Sequence, residues 1–484
     1  MHLLKAALHD SARLDYPIEL YTDSELEKYA LRILAAYDGW KDSSPPYASR
    51  QITHKDGIVH FYLSDSGRWL FLFTLYGAVV YHDLDNPGVP ARLLVHWMLS
   101  AYPLRLDFAV DVDDKAPALT FNLALYLYHP MGLHHFQIWR VRLHTQSEPY
   151  TGYFTAEKLA SFPRDSNGAV FCISLRDRHI AYAVLPNQAV TPYIAIIDWK
   201  RTGLDQKPYD FSYRKRVIFP ARQPINPSER TRLRFHLLPR NQLFVVYGAM
   251  VVLYDFLKEK EIRNVLPIPC YGPTPFPARN SIHLGDRLNI ETLSKPFFCP
   301  TSNSIRLTIC SCPTLNIGDL AVLGIVIPQM VPAPASAPPS SDRSENETEN
   351  AQAQPTPSSD RSANEPELLW SLLLLQEHNL QLDSDPAVAR REMDTLNVCF
   401  GYNKAIVRAE KRRFVALTYK WFDDDDDSLP PGDVYKHVYQ RVDRTLPPVL
   451  NELSGRVAEL NGAGHLDVYE FSSFMANTTR NTRR

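Results

Sequence analysis

Asp111, Asp113 and Asp114 place carboxylates at alternating and adjacent positions, the start of a spacing that oxygen-liganded cations use. A calcium loop also needs a central glycine and a distal bidentate glutamate. Neither follows here, so these residues read as a structural turn. His129, His134 and His135 lie close in sequence. Zinc requires four ligands at suitable spacing, and no cysteine pair stands nearby, so a strand edge or loop accounts for them. Cys310 and Cys312 are separated by one residue on an apolar run, which puts both on one face of a strand. That spacing fits neither a CxxC redox pair nor a zinc knuckle, and packed thiols are the reading. Lys200 and Arg201, then Arg214, Lys215 and Arg216, then Lys411, Arg412 and Arg413 form basic clusters beside Tyr213, Phe219 and Phe414. Cations interleaved with aromatics on a sheet suit single-stranded nucleic acid. Against this stand a formal net charge of -2 and the acidic run Asp423 to Asp427, and the clusters read as solvated loops or protein contacts. The acidic run itself suits a basic partner or weak calcium binding, or is simply a solvated loop. No GxSxG elbow, HExxH helix, phosphate-binding loop or GxGxxG turn occurs. No residue is therefore assigned a catalytic, cofactor-binding or metal-binding role.

The elements that would position these groups are mostly strands. The chain has 484 residues, 45% hydrophobic and 22% charged, enough to bury a sizeable core. Tyrosine and phenylalanine are plentiful at 25 and 22, which favours strands. One amphipathic helix stands near the start. Thr22 caps it, Glu25 closes the capping box, and Leu26, Ala30, Leu31, Ile33 and Leu34 follow at helical spacing until about Tyr37-Asp38-Gly39. From about residue 50 short apolar runs separated by turns take over, among them IVHFYL, WLFLFTL, LTFNLALYLY, YIAIIDW and LFVVYGAMVVLYDF. They do not alternate with helix-length segments, which argues against a doubly wound α/β fold. The 19 glycines are few for the tight turns of a regular propeller, and the 38 prolines imply many loops.

Residues 329–366 are dominated by Pro, Ala, Ser and polar types, with SSDR at 340–343 and again at 358–361. Such a segment cannot offset its ordering entropy, and disorder is expected, as a tolerated insertion or a modified regulatory loop. Structure is expected to resume with ELLWSLLLLQEH, VCFGYNKAIV and RRFVALTYKW, then a short helix around 433–444 and a final strand pair. The expected organisation is a helical segment over 1–45, a β region over 46–328, a linker over 329–366, the final blades over 367–471 and a disordered tail over 472–484. The scattered Cys172, Cys270, Cys299, Cys310, Cys312 and Cys399 read as reduced thiols. No signal peptide or apolar span of membrane length is legible, so a cytoplasmic or nuclear location is expected, with the sequons at Asn346 and Asn477 unused.

Three segments share one design: SGRWLFLFTLYGAVVYHDL at 66–84, LLPRNQLFVVYGAMVVLYDF at 237–256 and SGRVAELNGAGHLDVYEF at 454–471. Each is a polar turn, a strand, a Gly-containing turn and a strand ending in tyrosine and an acidic residue, and YIAIIDWK at 193–200 is a partial fourth copy. This is the logic of WD-type blades, with the terminal aromatic plugging the gap to the next blade. The expected fold is an all-β, irregular WD-like propeller of about six or seven blades with a short N-terminal helix and a disordered insertion.

The order of these motifs resembles the large fungal family of F-box proteins with divergent, propeller-like C-terminal regions. SELEKYALRILAAYDGW resembles the stretch that follows the F-box there. YHDL, IIDWK and VVLYDF resemble its blade ends, GYNKAIVRAEKRRFVALTYKW its late blade, and ELSGRV with LDVYEF its last. The resemblance covers most of 20–325 and 397–471, and it implies the substrate receptor of a cullin-based ubiquitin ligase. The F-box, roughly 50 residues long, would precede the helix. Only 22 residues precede Asp23, so docking on the ligase adaptor requires an upstream segment. The expectation is a non-catalytic scaffold that binds other proteins, without cofactor or metal. An enzyme on a propeller scaffold and a nucleic-acid-binding β protein are the alternatives.

Overall fold

A computed structural model describes residues 14–40, 46–96, 105–128, 134–145, 152–164, 168–186, 192–203, 213–220, 233–263, 280–283, 288–300, 302–313, 319–329, 371–379, 397–410, 413–419, 421, 432–437, 448–461 and 463–472. Helix α1 (Asp23–Gly39) opens as its residues dictate: Thr22 Oγ1 accepts from the Glu25 amide while Glu25 Oε2 accepts from the Thr22 amide at 2.8 Å, a complete capping box. Strand β1 (Ala48–Ile52) follows.

Seven antiparallel sheets then succeed one another, each written from inner to outer strand. The first holds β2 (Ile58–Leu63), β3 (Trp69–Thr74), β4 (Val79–Asp83) and β5 (Arg92–Val95), the second β6 (Arg105–Val112), β7 (Thr120–Tyr128), β8 (His134–His144) and β9 (Tyr153–Arg164). The third holds β10 (Ala169–Arg176), β11 (His179–Leu185), β12 (Tyr193–Asp198) and β13 (Arg214–Ile218), the fourth β14 (Arg234–Leu238), β15 (Gln242–Tyr247) and β16 (Met250–Asp255). The link after β16 first lays β17 (Ile262–Arg263) on the outer edge of the third sheet, then returns as β18 (Asn280–His283) to complete the fourth. The fifth blade has β19 (Leu288–Leu293), β21 (Ser304–Pro313), β22 (Asp319–Pro328) and β23 (Ser371–Asn379), with β20 (Phe297–Cys299) beside β21. The sixth has β24 (Asn397–Phe400), β25 (Lys404–Glu410), β26 (Arg413–Thr418) and β27 (Gly432–His437). The seventh takes β28 (Val449–Asn451), β29 (Arg456–Leu460) and β30 (Leu466–Glu470) from the end of the chain and β1 from its start, with Ala48 opposite Glu470 and Ile52 opposite Leu466. The fold is a seven-bladed β-propeller closed by pairing the two ends of the chain.

Each seam between adjacent blades is one apolar cluster. The widest aromatic packing lies between the first and second blades, where Trp69, Phe71 and Tyr81 meet Phe121 and Phe154. The narrowest lies between the sixth and seventh, where Trp40, at the end of α1, joins Ile406, Ala416, Val457 and Tyr469. The helix therefore completes a seam that the blades alone leave thin.

Three expectations need correction. The segment expected as a helix over 433–444 begins as strand β27, because Gly432–His437 supplies the outer pairing for β26. The tyrosines at the blade ends do not all point to the next blade. Tyr81 lies two residues before Asp83 and faces the second blade, whereas Tyr254 and Tyr469 lie one residue before their acids and face the preceding blade. A one-residue shift on a strand exchanges the two faces. The shortage of glycine is met by Asp177, Arg240, Asn241 and Asn303, which adopt φ between 43° and 60° in the tight turns. The linker 330–366, the tail beyond Ser472 and both sequons lie outside the described residues.

Candidate interaction surface

In each blade the turn between first and second strands and the link between third and fourth strands share one face, here called the turn face. The repeated acids sit on it. Asp83 takes a two-pronged bond from Arg68, at 3.0 and 2.7 Å. Asp198 takes Arg178 and, at 3.1 Å, Arg201. Glu470 takes Arg456 at 3.3 Å and Arg50 at 3.0 Å. Asp255 of the fourth blade accepts from the Leu257 amide and lies 4.0 Å from Lys258, whereas in these three blades the acid clamps arginine at the blade end. Bidentate, partly buried pairs of this kind fix geometry.

Residues 14–40 cross the turn face as a strap. Asp15 Oδ2 accepts from Trp69 Nε1 at 3.1 Å, and its carbonyl accepts from the Leu119 amide at 2.7 Å, joining the first and second blades. Burial pushes the Asp15 carboxyl up to about 6, against the pull of Arg68. Further along, Arg32 donates to both oxygens of Asp85 at 2.8 and 2.7 Å, and Asp85 also accepts from Arg456 at 2.8 Å. Burial opposes ionisation there, but the three arginines around Asp85 overcome it and hold its carboxyl well below the usual range. Gly39 lies so close to the backbone that an added Cβ would stand 1.7 Å from the Phe471 carbonyl oxygen. Trp40 stacks near Phe471 at 4.8 Å and donates to the Glu452 carbonyl at 3.1 Å.

The other side of α1 faces solvent. Leu31 and Leu34 are 41% and 44% exposed, and Ile18 and Leu20 just before the helix are 41% and 45% exposed. Glu27 and Asp38 flank the two leucines on the same stripe. At the channel mouth on this face, an ion pair joins Lys295 of the fifth blade to Asp65 of the first, bypassing the two blades between. Shallow clefts open where blades meet, one lined by Trp69, Tyr81, Asp83 and Arg92, the other by Arg176, His179, Leu237 and Phe256.

The residues singled out from the sequence are dispersed among structural roles. Asp111 is buried, accepts from the Asp177 amide at 2.7 Å and lies 3.4 Å from Arg176, so it ties the second blade to the third. Burial pushes it up to about 6. Asp113 instead pairs with Arg140 in its own blade, which lowers its carboxyl, and Asp114 is exposed. His134 contacts Tyr126 Oη at 2.5 Å, while His135, on the opposite face of β8, meets Ser161 Oγ at 2.6 Å. Burial lowers both to about 4. Among the described residues no group of three His, Cys, Asp or Glu is placed to hold a metal. Cys310 is buried at the seam of the fifth and sixth blades, and Cys312 follows on the same strand. His129, Lys411, Arg412 and Asp423 to Asp427 lie outside the described residues.

Arg201, Arg214 and Arg216 do converge. All three meet Glu261, at 3.4, 4.0 and 2.9 Å, across the pairing of β13 with β17. Sequence reasoning grouped the arginines but had no signal for Glu261, which arrives from the next blade. It also missed Asp15, Arg32 and Asp85, whose partners lie dozens of residues away or more. Among the described residues no helix is long and apolar enough to cross a membrane.

The chain matches no protein-family model and no curated protein. Its fold is similar to solved propellers at very low identity. The WD40 domain of SCAP from fission yeast aligns with TM-score 0.39 and 10% identity over 88% of this chain and 95% of that one. The Cps50 (Swd1) β-propeller domain of Myceliophteria thermophila aligns with TM-score 0.45 and 9% identity over 87% and 99%. The RRP9 WD40 repeats align with TM-score 0.41 and 6% identity over 88% and 98%.

Proposed function

We propose that this propeller is a non-catalytic scaffold that binds other proteins through its turn face. The observation that carries this reading is the divided character of α1. Arg32, Gly39 and Trp40 anchor one side rigidly, while Leu31 and Leu34 stand exposed on the other with Ile18 and Leu20 nearby. Two leucines presented one helical turn apart by a fixed element offer a partner an apolar contact on a rigid support. The finer reading is a ubiquitin-ligase substrate receptor. In the family that the sequence resembles, this helix follows the F-box, and α1 so anchored would hold a preceding helical module against the turn face, the exposed leucines packing on it.

The test uses purified protein with and without a recombinant F-box joined ahead of residue 14. Direct binding of the ligase adaptor by the fusion, with Leu31→Glu/Leu34→Glu loosening the F-box from the propeller in limited proteolysis while the thermal midpoint stays put, is the expected result. Tight packing of the F-box regardless of the two substitutions overturns the role of α1. Robust hydrolase or transferase turnover by the purified chain overturns the scaffold reading itself.

A further inference from the structure

On the turn face of the third blade the fold builds a cationic platform that its internal ion pairs do not exhaust. Asp198, 7% exposed at its side chain, lies beneath Arg178 and Arg201. Glu261, 18% exposed, lies beneath Arg201, Arg214 and Arg216. Two sunken carboxylates thus hold four guanidinium groups. Three of these keep broad outer surfaces, with Arg178 at 47% and Arg201 and Arg214 at 62%. Lys200, Lys258 and Lys260 are exposed around them. Arginines fixed from below lose less freedom when they take up a second oxyanion above, which is the condition for a strong charge-assisted contact.

The platform is not purely ionic. Leu257, two residues before Glu259, whose carbonyl accepts from Arg216, is 47% exposed beside it. The shallow cleft between the third and fourth blades is lined by Leu237, His179 and Phe256, the residue before Leu257. Among the described residues the aromatic rings at hand, Trp199 and Phe256, are buried and offer no stacking face. An exposed aliphatic, with no exposed ring beside it among the described residues, suits a polypeptide rather than nucleic-acid bases.

We infer that this platform docks an acidic segment of a partner protein, a run of aspartate and glutamate interrupted by an aliphatic residue. The carboxylates would lie over Arg178, Arg201 and Arg214, and the aliphatic side chain beside Leu257 at the cleft. The inference rests on the protein-binding reading above but uses a different blade from α1, so its failure would leave that reading standing.

The probe is a fluorescein-labelled synthetic peptide, DEELDEDE, titrated with the full chain at low and physiological salt and followed by anisotropy. Arg201→Gln/Arg214→Gln is expected to weaken binding at least tenfold with an unchanged thermal midpoint, and Leu257→Ser to weaken it several-fold. Lys55→Gln, on the opposite face, is expected to change nothing. Equal affinity in wild type and the arginine variant overturns the inference. So does displacement of the peptide by single-stranded DNA of equal charge far below peptide concentration, or an arginine-dependent self-association that replaces peptide binding. Loss of the platform effect with the α1 substitutions still loosening the fused F-box would leave the scaffold reading intact.

Discussion

Asp15 shows how a single residue is placed at a cost. Its carboxylate accepts the Trp69 indole N–H deep under the strap, and burial raises its titration to about 6 from an ordinary 3.8. The folded chain therefore holds the proton more tightly than the unfolded one. The sign follows from linkage: the penalty is absent below about 4, grows as pH rises through 6, and is full above it. Asp15→Asn keeps an acceptor for Trp69 and removes the charge. It should raise stability by on the order of 1–2 kcal/mol at pH 7.5 and do nothing at pH 4, as thermal melts at the two pH values would show. The histidines work in the opposite sense. His134, His135, His179 and His236 are all lowered to about 4 by burial. The unfolded chain binds their protons first, so their contribution is present above 6.5 and lost as pH falls toward 4. They outnumber Asp15 and Asp111, so the melting midpoint should fall between pH 6.5 and 5, and fall less in His134→Gln/His179→Gln. A midpoint that rises on acidification over that window would contradict this balance. None of these environments was legible in the sequence: Asp15, Asp111 and His236 depend on the strap or on another blade, and His134 and His135 on partners brought together by their own sheet from 8 and 26 residues away.

At the scale of elements, α1 was readable because its start is written locally: Thr22 and Glu25 form the capping box by themselves. What α1 does was not readable, since its partners Asp85, Gly455, Phe471 and Glu452 are supplied by the first and seventh blades. Gly39→Ala tests that docking. The new methyl would overlap the Phe471 carbonyl, and strain of about 1–3 kcal/mol is expected. The melt should drop accordingly while Ala35→Gly, at a half-buried helix position, which weakens the helix by about 1 kcal/mol through propensity, drops it less. An equal loss in both would mean that the close approach at Gly39 is not the point of strain. The segment 432–437 was misread for the complementary reason. Val434, Tyr435, Val438 and Tyr439 recur at helical spacing, yet an unpaired β26 edge captures Gly432–His437 as a strand. Tertiary pairing overrides local period where a sheet lacks its last strand. The extra strand β17 follows the same rule, since its two residues are placed by the edge of β13 rather than by their own pattern.

The whole molecule was foreseen as a propeller because the blade design recurs at 66–84, 237–256 and 454–471, which are strand pairs of the first, fourth and seventh blades, and in part at 193–200, the third strand of the third blade. The number seven was not fixed by those copies. The second, fifth and sixth blades depart from the pattern, and closure depends on β1, whose sequence ASRQI has little apolar content and is held mainly by its ladder to β30. The features that point to function all gather on the turn face: the exposed side of α1, the cationic platform and the two seam clefts. The opposite face, where the turns at 75–78, 248–249 and 461–465 emerge, presents none of them among the described residues. The most direct measurement is hydrogen–deuterium exchange on the full chain alone and in complex with a partner co-purified in stoichiometric amount. Protection on binding is expected in α1, in 64–68 and in 199–203 with 256–263, with exchange at 53–57, 75–78 and 461–465 unchanged. Protection confined to those latter turns would place the binding surface on the other side of the propeller and contradict the account.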